Sequence, residues 1–198
     1  MATKPERRAA AVLYAELRNF TRLSEVLQPD KVLELANDFF SLASRAVIAG
    51  AGNVVSVHND SLLASFVDGE PLQFNDAALK VARVIQRDFA PIGERWKMEY
   101  GLAAAVALGV HTGEAVFGMA GPIGGQQFVA FGDCVSVAER LVHRARAGEI
   151  VISLDVMKAL GAAVEALGAA ELPPLELGNR RPVLPIYGMT LETRLDFT

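Results

Sequence analysis

The chain has 198 residues, of which 52% are hydrophobic, and it carries a net charge of −4. This size suits one large domain with a sizeable core, and the composition excludes intrinsic disorder. The negative charge argues against a broad surface for nucleic acid or anionic membrane, and the apolar runs are too short to span a bilayer. The one cysteine, Cys134, excludes an intrachain disulfide and fits a reducing, cytoplasmic compartment.

Hydrophobic periodicity and turn residues predict a single domain at residues 9–190 between short tails at 1–8 and 191–198. Amphipathic helices are predicted at 30–48, 76–92, 133–145 and 156–160. Strands are predicted at 9–17, 53–57, 62–66, 102–111, 114–118, 127–131, 150–153, 172–177 and 183–189. Three pairs of these strands have the spacing of hairpins: 53–57 with 62–66, 102–111 with 114–118, and 172–177 with 183–189. Hairpins mixed with helices predict an α+β fold, in which helices cover one face of a mixed sheet.

The first predicted strand ends on a carboxylate. Residues 11–25, AVLYAELRNFTRLSE, form a buried apolar strand ending at Glu16, then a short loop and a helix opened by Thr21 or Ser24. A carboxylate beside the N–H groups of a helix start suits Mg²⁺ and a nucleotide phosphate. Asp60 lies at the tip of the next hairpin, and if the two strands are neighbours the carboxylates meet as a metal site requires. The alternative is two ordinary surface acids.

Ser136 and Arg140 lie one turn apart on the predicted helix at 133–145, and His143 follows on the same side. An exposed arginine and a hydroxyl can bind a phosphate together. The alternative is that these residues form a solvated polar face of the helix. The glycines of residues 118–126 either let a ligand approach closely or loosen a hairpin loop. Cys134 is expected to be a buried structural thiol, and His111 a hydrogen-bonding residue of a turn.

Five stretches, in order, resemble the motifs of class III nucleotidyl cyclases, the adenylate and guanylate cyclases. AVLYAELRNFTRLSE resembles F-A-D-I-x-G-F-T-x-L-S-E, and SVHNDSLLASF resembles K-x-x-G-D-x-x-x-A-x-F. LGVHTGEAVFGMAG resembles G-I-H-T-G-x-x-x-x-G-x-x-G, and FVAFGDCVSVAERL resembles Y-T-V-x-G-D-x-V-N-x-A-A-R-L. GNRRPVLPIYGM resembles G-x-x-x-P-V-x-V-Y. The resemblance implies the ferredoxin-like α+β cyclase fold.

The resemblance also implies a homodimer with the site at the subunit interface. Glu16 and Asp60 of one protomer would bind two Mg²⁺ or Mn²⁺ ions, and Ser136 and Arg140 of the other would orient the ribose and stabilise the transition state. The ligand would be a purine nucleoside triphosphate, with no nucleic acid and no membrane as partner of this chain.

Several implied phosphate and metal positions differ from the family pattern. Glu16 replaces the first metal-binding aspartate, while Asp60 and Arg140 are retained. Asn19 replaces the loop glycine. The resemblance also implies phosphate contacts from Phe20 and Thr21 in the loop. The position of the family's triphosphate-binding lysine holds Leu177, and Arg180 or Arg181 would take the role of that lysine.

The implied base and ribose positions differ as well. Ser56 replaces the purine-reading lysine, and Val129 replaces its Asp or Thr partner, so its side chain cannot hydrogen-bond. Ser136 replaces the ribose-orienting asparagine. This pattern predicts a degenerate cyclase, weak or inactive, that acts as a dimerising nucleotide-binding or regulatory module. The alternative is an active cyclase that converts ATP or GTP to the 3′,5′-cyclic nucleotide and pyrophosphate.

Overall fold

The computed structural model describes residues 4–161, 168–178 and 182–191. The strands in these ranges are β1 (Glu6–Arg18), β2 (Asn53–His58), β3 (Ser61–Phe66), β4 (Ala105–Ala120), β5 (Gln127–Phe131), β6 (Glu149–Ser153), β7 (Ala170–Leu175) and β8 (Leu184–Thr190). The helices are α1 (Phe20–Val26), α2 (Pro29–Ala49), α3 (Pro71–Tyr100), α4 (Asp133–Arg144) and α5 (Leu154–Leu160). β1 begins within the predicted tail at 1–8.

The strands form one sheet in the order β2-β3-β1-β4-β6-β8-β7, and β5 pairs with the far end of β4. β4 and β6 run parallel, whereas β1 is antiparallel to both β3 and β4. The sheet is therefore mixed, and the predicted α+β fold is confirmed. The predicted hairpin near the C-terminus is present as β7 and β8.

Alternation along β1 divides the core between the two faces of the sheet. Leu13 and Leu17 pack with α2, α3 and α5 in the larger cluster. Ala10 and Val12 point to the other face, where they pack against α4. The expectation of helices on one face thus holds for α2, α3 and α5, whereas α4 lies on the opposite face. This arrangement places α4 over the end of β1 that carries Glu16.

The predicted hairpin at 102–111 and 114–118 is wrong, because both segments belong to the single strand β4. β4 pairs with β1 in continuous register from Ala105 to Phe117, with no turn at Thr112 or Gly113. Gly113 is small because a Cβ there would lie 2.9 Å from the Cβ of Cys134 on α4. The turn comes later, at residues 121–126, where Gly121 has a φ of 130° and the chain returns as β5.

The helices occupy the predicted places, and α3 is longer than predicted at both ends. Glu70 and Gln73 form a reciprocal capping box at its start, and Gly101 ends it in the left-handed conformation. None of the helices within the described ranges combines the length and hydropathy of a membrane-spanning segment.

Candidate functional site

The end of β1 lies next to the turn between β2 and β3. Glu16 is opposite Ser61 in the register of β1 and β3, and the N–H of Leu17 donates to the carbonyl of Asp60 at 2.9 Å. Asn59 has a φ of 51°, in the left-handed region that glycine and asparagine adopt most readily. The structure therefore places the backbones of Glu16 and Asp60 side by side at one end of the sheet.

A second left-handed residue begins the loop that follows β1. Asn19 has a φ of 67° and caps α1 through its backbone, with no side-chain cap hydrogen bond, while its Nδ2 donates to the carbonyl of Ala103 at 2.7 Å. α1 begins at Phe20, so the prediction that Thr21 or Ser24 opens this helix is wrong. Phe20 packs against the core, whereas Thr21 is exposed.

Both carboxylate oxygens of Glu16 have nitrogen neighbours. Oε1 accepts a hydrogen bond from Nη1 of Arg18, and Oε2 lies 3.4 Å from Nε2 of His143. Because the Glu16 side chain is only 14% exposed, these contacts form in the groove between β1 and α4. Arg18 was not among the residues predicted from the sequence, although strand alternation places residues 16 and 18 on one face.

Carboxylate oxygens are the ligands that Mg²⁺ and Mn²⁺ prefer, so Glu16 and Asp60 fit such an ion by their chemistry. Within the part of the chain that the structure describes, no three His, Cys, Asp or Glu side chains converge as a metal site. This chain would therefore supply two carboxylates, and a nucleotide would supply further oxygens. The ion would compete with Arg18 and His143 for Glu16.

Tyr14 is a second residue of this groove that the sequence analysis missed. It is half-buried on the same face of β1 as Glu16. Burial raises the pKa of the Tyr14 phenol, and the charges of Glu139, Glu16 and Asp60 raise it further, against a hydrogen bond with Ser61 that lowers it. The phenol therefore stays protonated at neutral pH and can donate a hydrogen bond.

Ser136 and Arg140 lie on the exposed side of α4. Together with Asp133 and Leu177 they line a cavity of about 280 Å³, and Nη1 of Arg140 is 3.5 Å from the carbonyl of Glu176. The structure thus places Ser136 and Arg140, the pair predicted to bind a phosphate, beside Leu177. Arg180 and Arg181 lie outside the described residues.

The two positions predicted to read the base lie on β2 and β5, strands that contact each other without pairing. Ser56 is exposed and lies opposite Leu63, which points to the α4 face of the sheet. Val129 is half-buried opposite Gly118. Neither position offers the charged or amide group with which a protein reads a purine edge at close range.

His111 and Cys134 are structural. Nδ1 of His111 is 2.7 Å from Oγ of Ser153, within β4 and not in a turn as predicted, and burial lowers its pKa. Sγ of Cys134 donates to the carbonyl of Glu114, and burial raises the pKa of the thiol, as expected of a buried cysteine. Both residues line a cavity of about 430 Å³ that does not include Glu16 or Arg140.

The known proteins that are similar to this chain are adenylate and guanylate cyclases. A model of the adenylate and guanylate cyclase catalytic domain matches residues 3–174. An adenylate cyclase of Anabaena cylindrica is 26% identical over 138 residues, which is 68% of this chain. The chain spans only about a quarter of that relative, 27% of its length.

Solved structures show the same fold. The adenylyl cyclase CyaB from P. aeruginosa superposes with a TM-score of 0.85 at 21% identity, over 99% of this chain and 100% of that one. The guanylate cyclase domain of RhGC from Catenaria anguillulae, in complex with GTP, has a TM-score of 0.79 at 18% identity, over 95% and 98%.

Proposed function

Because the chain belongs to the adenylate and guanylate cyclase catalytic domain family, we propose that it is a purine-nucleotide-binding module that works as a homodimer with weak or no cyclase activity. The charged framework of a cyclase is kept at Glu16, Asp60 and Arg140, which supports nucleotide binding. Ser56 and Val129 cannot replace the usual base-reading groups, which supports loss of turnover. A cytoplasmic location remains a prediction from cysteine usage.

The homodimer is supported by a solved structure, the dimeric guanylyl cyclase domain of the RhoGC fusion protein from Blastocladiella emersonii, which superposes with a TM-score of 0.75 at 18% identity, over 94% of this chain and 98% of that one. Glu16 lies beneath the last turn of α4, in contact with Arg18 and His143. Ser136 and Arg140 lie on the exposed side of the same helix. In the proposed homodimer, a nucleotide bridges two copies, with Glu16 and Asp60 from one and Ser136 and Arg140 from the other.

The chemistry would be the attack of the ribose 3′-oxygen on the α-phosphorus, which breaks the bond to the β-phosphate and releases pyrophosphate. Mg²⁺ or Mn²⁺ at Glu16 and Asp60 would neutralise the phosphates and favour ionisation of the 3′-hydroxyl. The Arg140 guanidinium would stabilise charge on the α-phosphate. Ser136 is a shorter donor than asparagine and would orient the ribose less firmly.

Cyclic-nucleotide formation from ATP or GTP with Mn²⁺, followed by chromatography, tests this proposal. We expect turnover well below the roughly 1–10³ s⁻¹ of ordinary enzymes, reduced further about 10²-fold or more in Arg140→Ala. The matched control is Arg87→Ala, an exposed arginine on α3 at the opposite face of the sheet. Turnover in the ordinary range would establish the active-cyclase alternative. A wild-type protein that binds neither ATP nor GTP would refute both the proposed function and this alternative.

A further inference from the structure

Arg18 makes a mostly buried ion pair with Glu16. The two residues are two positions apart on β1, so their side chains leave the same face of the sheet. Nη1 of Arg18 donates to Oε1 of Glu16, and the side chains are 21% and 14% exposed, respectively. A pair this sheltered is screened far less by salt than a surface pair.

The same guanidinium also binds the end of α4. Nη2 of Arg18 donates to the carbonyl of Val142 and to that of Ala145 at 3.0 Å. The carbonyl end of a helix carries partial negative charge, so a cation is favourable there. His143, from the same turn, approaches the other oxygen of Glu16. Both oxygens of Glu16 are therefore connected to the last turn of α4.

α4 is also fixed at its middle by close contact with β4. A Cβ at Gly109 would lie 2.5 Å from the carbonyl oxygen of Ala138 and from the amide nitrogen of Val142. Because the helix backbone rests directly on the strand, α4 cannot slide without losing this contact. Arg18 thus joins the Glu16 carboxylate to a rigid helix whose exposed side carries Ser136 and Arg140.

We propose that Arg18 is a positioning residue, which holds Glu16 on the end of α4 and competes with a divalent cation for its carboxylate. The proposal rests on the metal half-site of the proposed function and adds its regulation. A cation at Glu16 displaces Arg18 from Oε1, which leaves the guanidinium on the α4 carbonyls alone. Metal binding in one half-site therefore changes the anchoring of the helix that carries the other half-site.

Mn²⁺ binding by the full chain, measured from the electron paramagnetic resonance of the free ion with and without non-hydrolysable ATP, tests the competition. Arg18→Gln should bind Mn²⁺ about tenfold more tightly, because no charge-assisted hydrogen bond has to be displaced. Arg18→Lys should stay near wild type, since its ammonium still pairs with Glu16. Arg22→Gln, which removes an exposed arginine four positions further along the chain, is the control for net charge.

Two further measurements separate positioning from a general effect on folding or charge. In the Glu16→Gln background, Arg18→Gln should no longer tighten Mn²⁺ binding. The hydrogen-exchange rates of the amides at residues 141–146 should increase in Arg18→Gln and increase less in Arg18→Lys. These rates should stay unchanged in Arg22→Gln.

The outcomes distinguish this proposal from the proposed function. If wild type binds Mn²⁺ through Glu16 but Arg18→Gln changes neither affinity nor exchange, the role of Arg18 is refuted and the metal half-site stands. If no variant binds Mn²⁺ even with nucleotide, the metal half-site is refuted and the competition with it. Tightening that persists without Glu16 would also overturn the proposal.

Discussion

Single residues decide where this chain keeps the cyclase pattern and where it departs from it. Asn19 and Asn59 replace family glycines, yet both adopt the left-handed backbone those positions require. Glu16 keeps the charge of an aspartate but is engaged by Arg18 and His143. Substitution at these two backbone positions therefore keeps the conformation, whereas we predict that substitution at the proposed ligand positions changes the chemistry.

The residues found from the sequence and those missed differ in how far their partners lie along the chain. Asp60 and Arg140 could be predicted as site residues because each lies within a local motif. Arg18 was missed because its partners on α4, Val142 and Ala145, are 124 and 127 positions away. No local pattern shows that the strand end carrying Arg18 lies beneath that helix turn.

We expect His111 to make the stability of the domain depend on pH. Burial lowers its pKa, against the opposing charges of Asp155 and Asp133, so protonation favours the unfolded chain, in which the pKa is about 6.5. The stabilisation is full above that pH and declines as the pH falls, by at most about 1.4 kcal/mol per pH unit.

Urea unfolding at about pH 7.5 and about pH 5.5 measures this decline. His111→Gln should flatten it, whereas His58→Gln, which removes an exposed histidine, should leave it unchanged. An equal decline in His111→Gln would assign the pH dependence to other groups.

At the scale of elements, β4 and α4 show where pattern reasoning fails. Thr112-Gly113 has the composition of a turn, and it was predicted as one. Gly113 and Gly109 are instead small because α4 lies directly on β4, which is a tertiary cause that composition does not reveal. The helix itself was predicted within one residue at its end, because its 3.6-residue periodicity is local.

Gly109→Ala tests the close contact between these two elements. The added methyl would meet two backbone atoms of α4, which cannot rotate away, so we expect a loss of about 1–3 kcal/mol or more in the free energy of unfolding. Urea denaturation measures it. Gly125→Ala, in the loop before β5 where the nearest atom is the Pro122 ring at 3.3 Å, should cost little. An equal loss in the free energy of unfolding at both positions would mean that α4 moves away from β4 at little energetic cost.

For the whole molecule, the α+β class was predictable from the periodic segments, and the cyclase fold from the five motifs that the chain carries in order. The sheet order and the position of α4 on the second face were not, since they depend on which strands meet. That topology is the basis on which the proposed function assigns two half-sites to one chain. β1 and the β2–β3 turn hold Glu16 and Asp60, and α4 presents Ser136 and Arg140 to the outside.

In the proposed homodimer a complete nucleotide site needs half-sites from two copies, and mixing two defective variants tests this claim most directly. Asp60→Asn and Arg140→Ala each damage a different half-site, so each alone should bind a fluorescent ATP analogue with Mn²⁺ at least about tenfold more weakly than wild type. Random pairing after mixing gives half of the dimers as heterodimers with one intact site, so about a quarter of the tight sites should return. A mixture that binds no better than its separate components would contradict the claim.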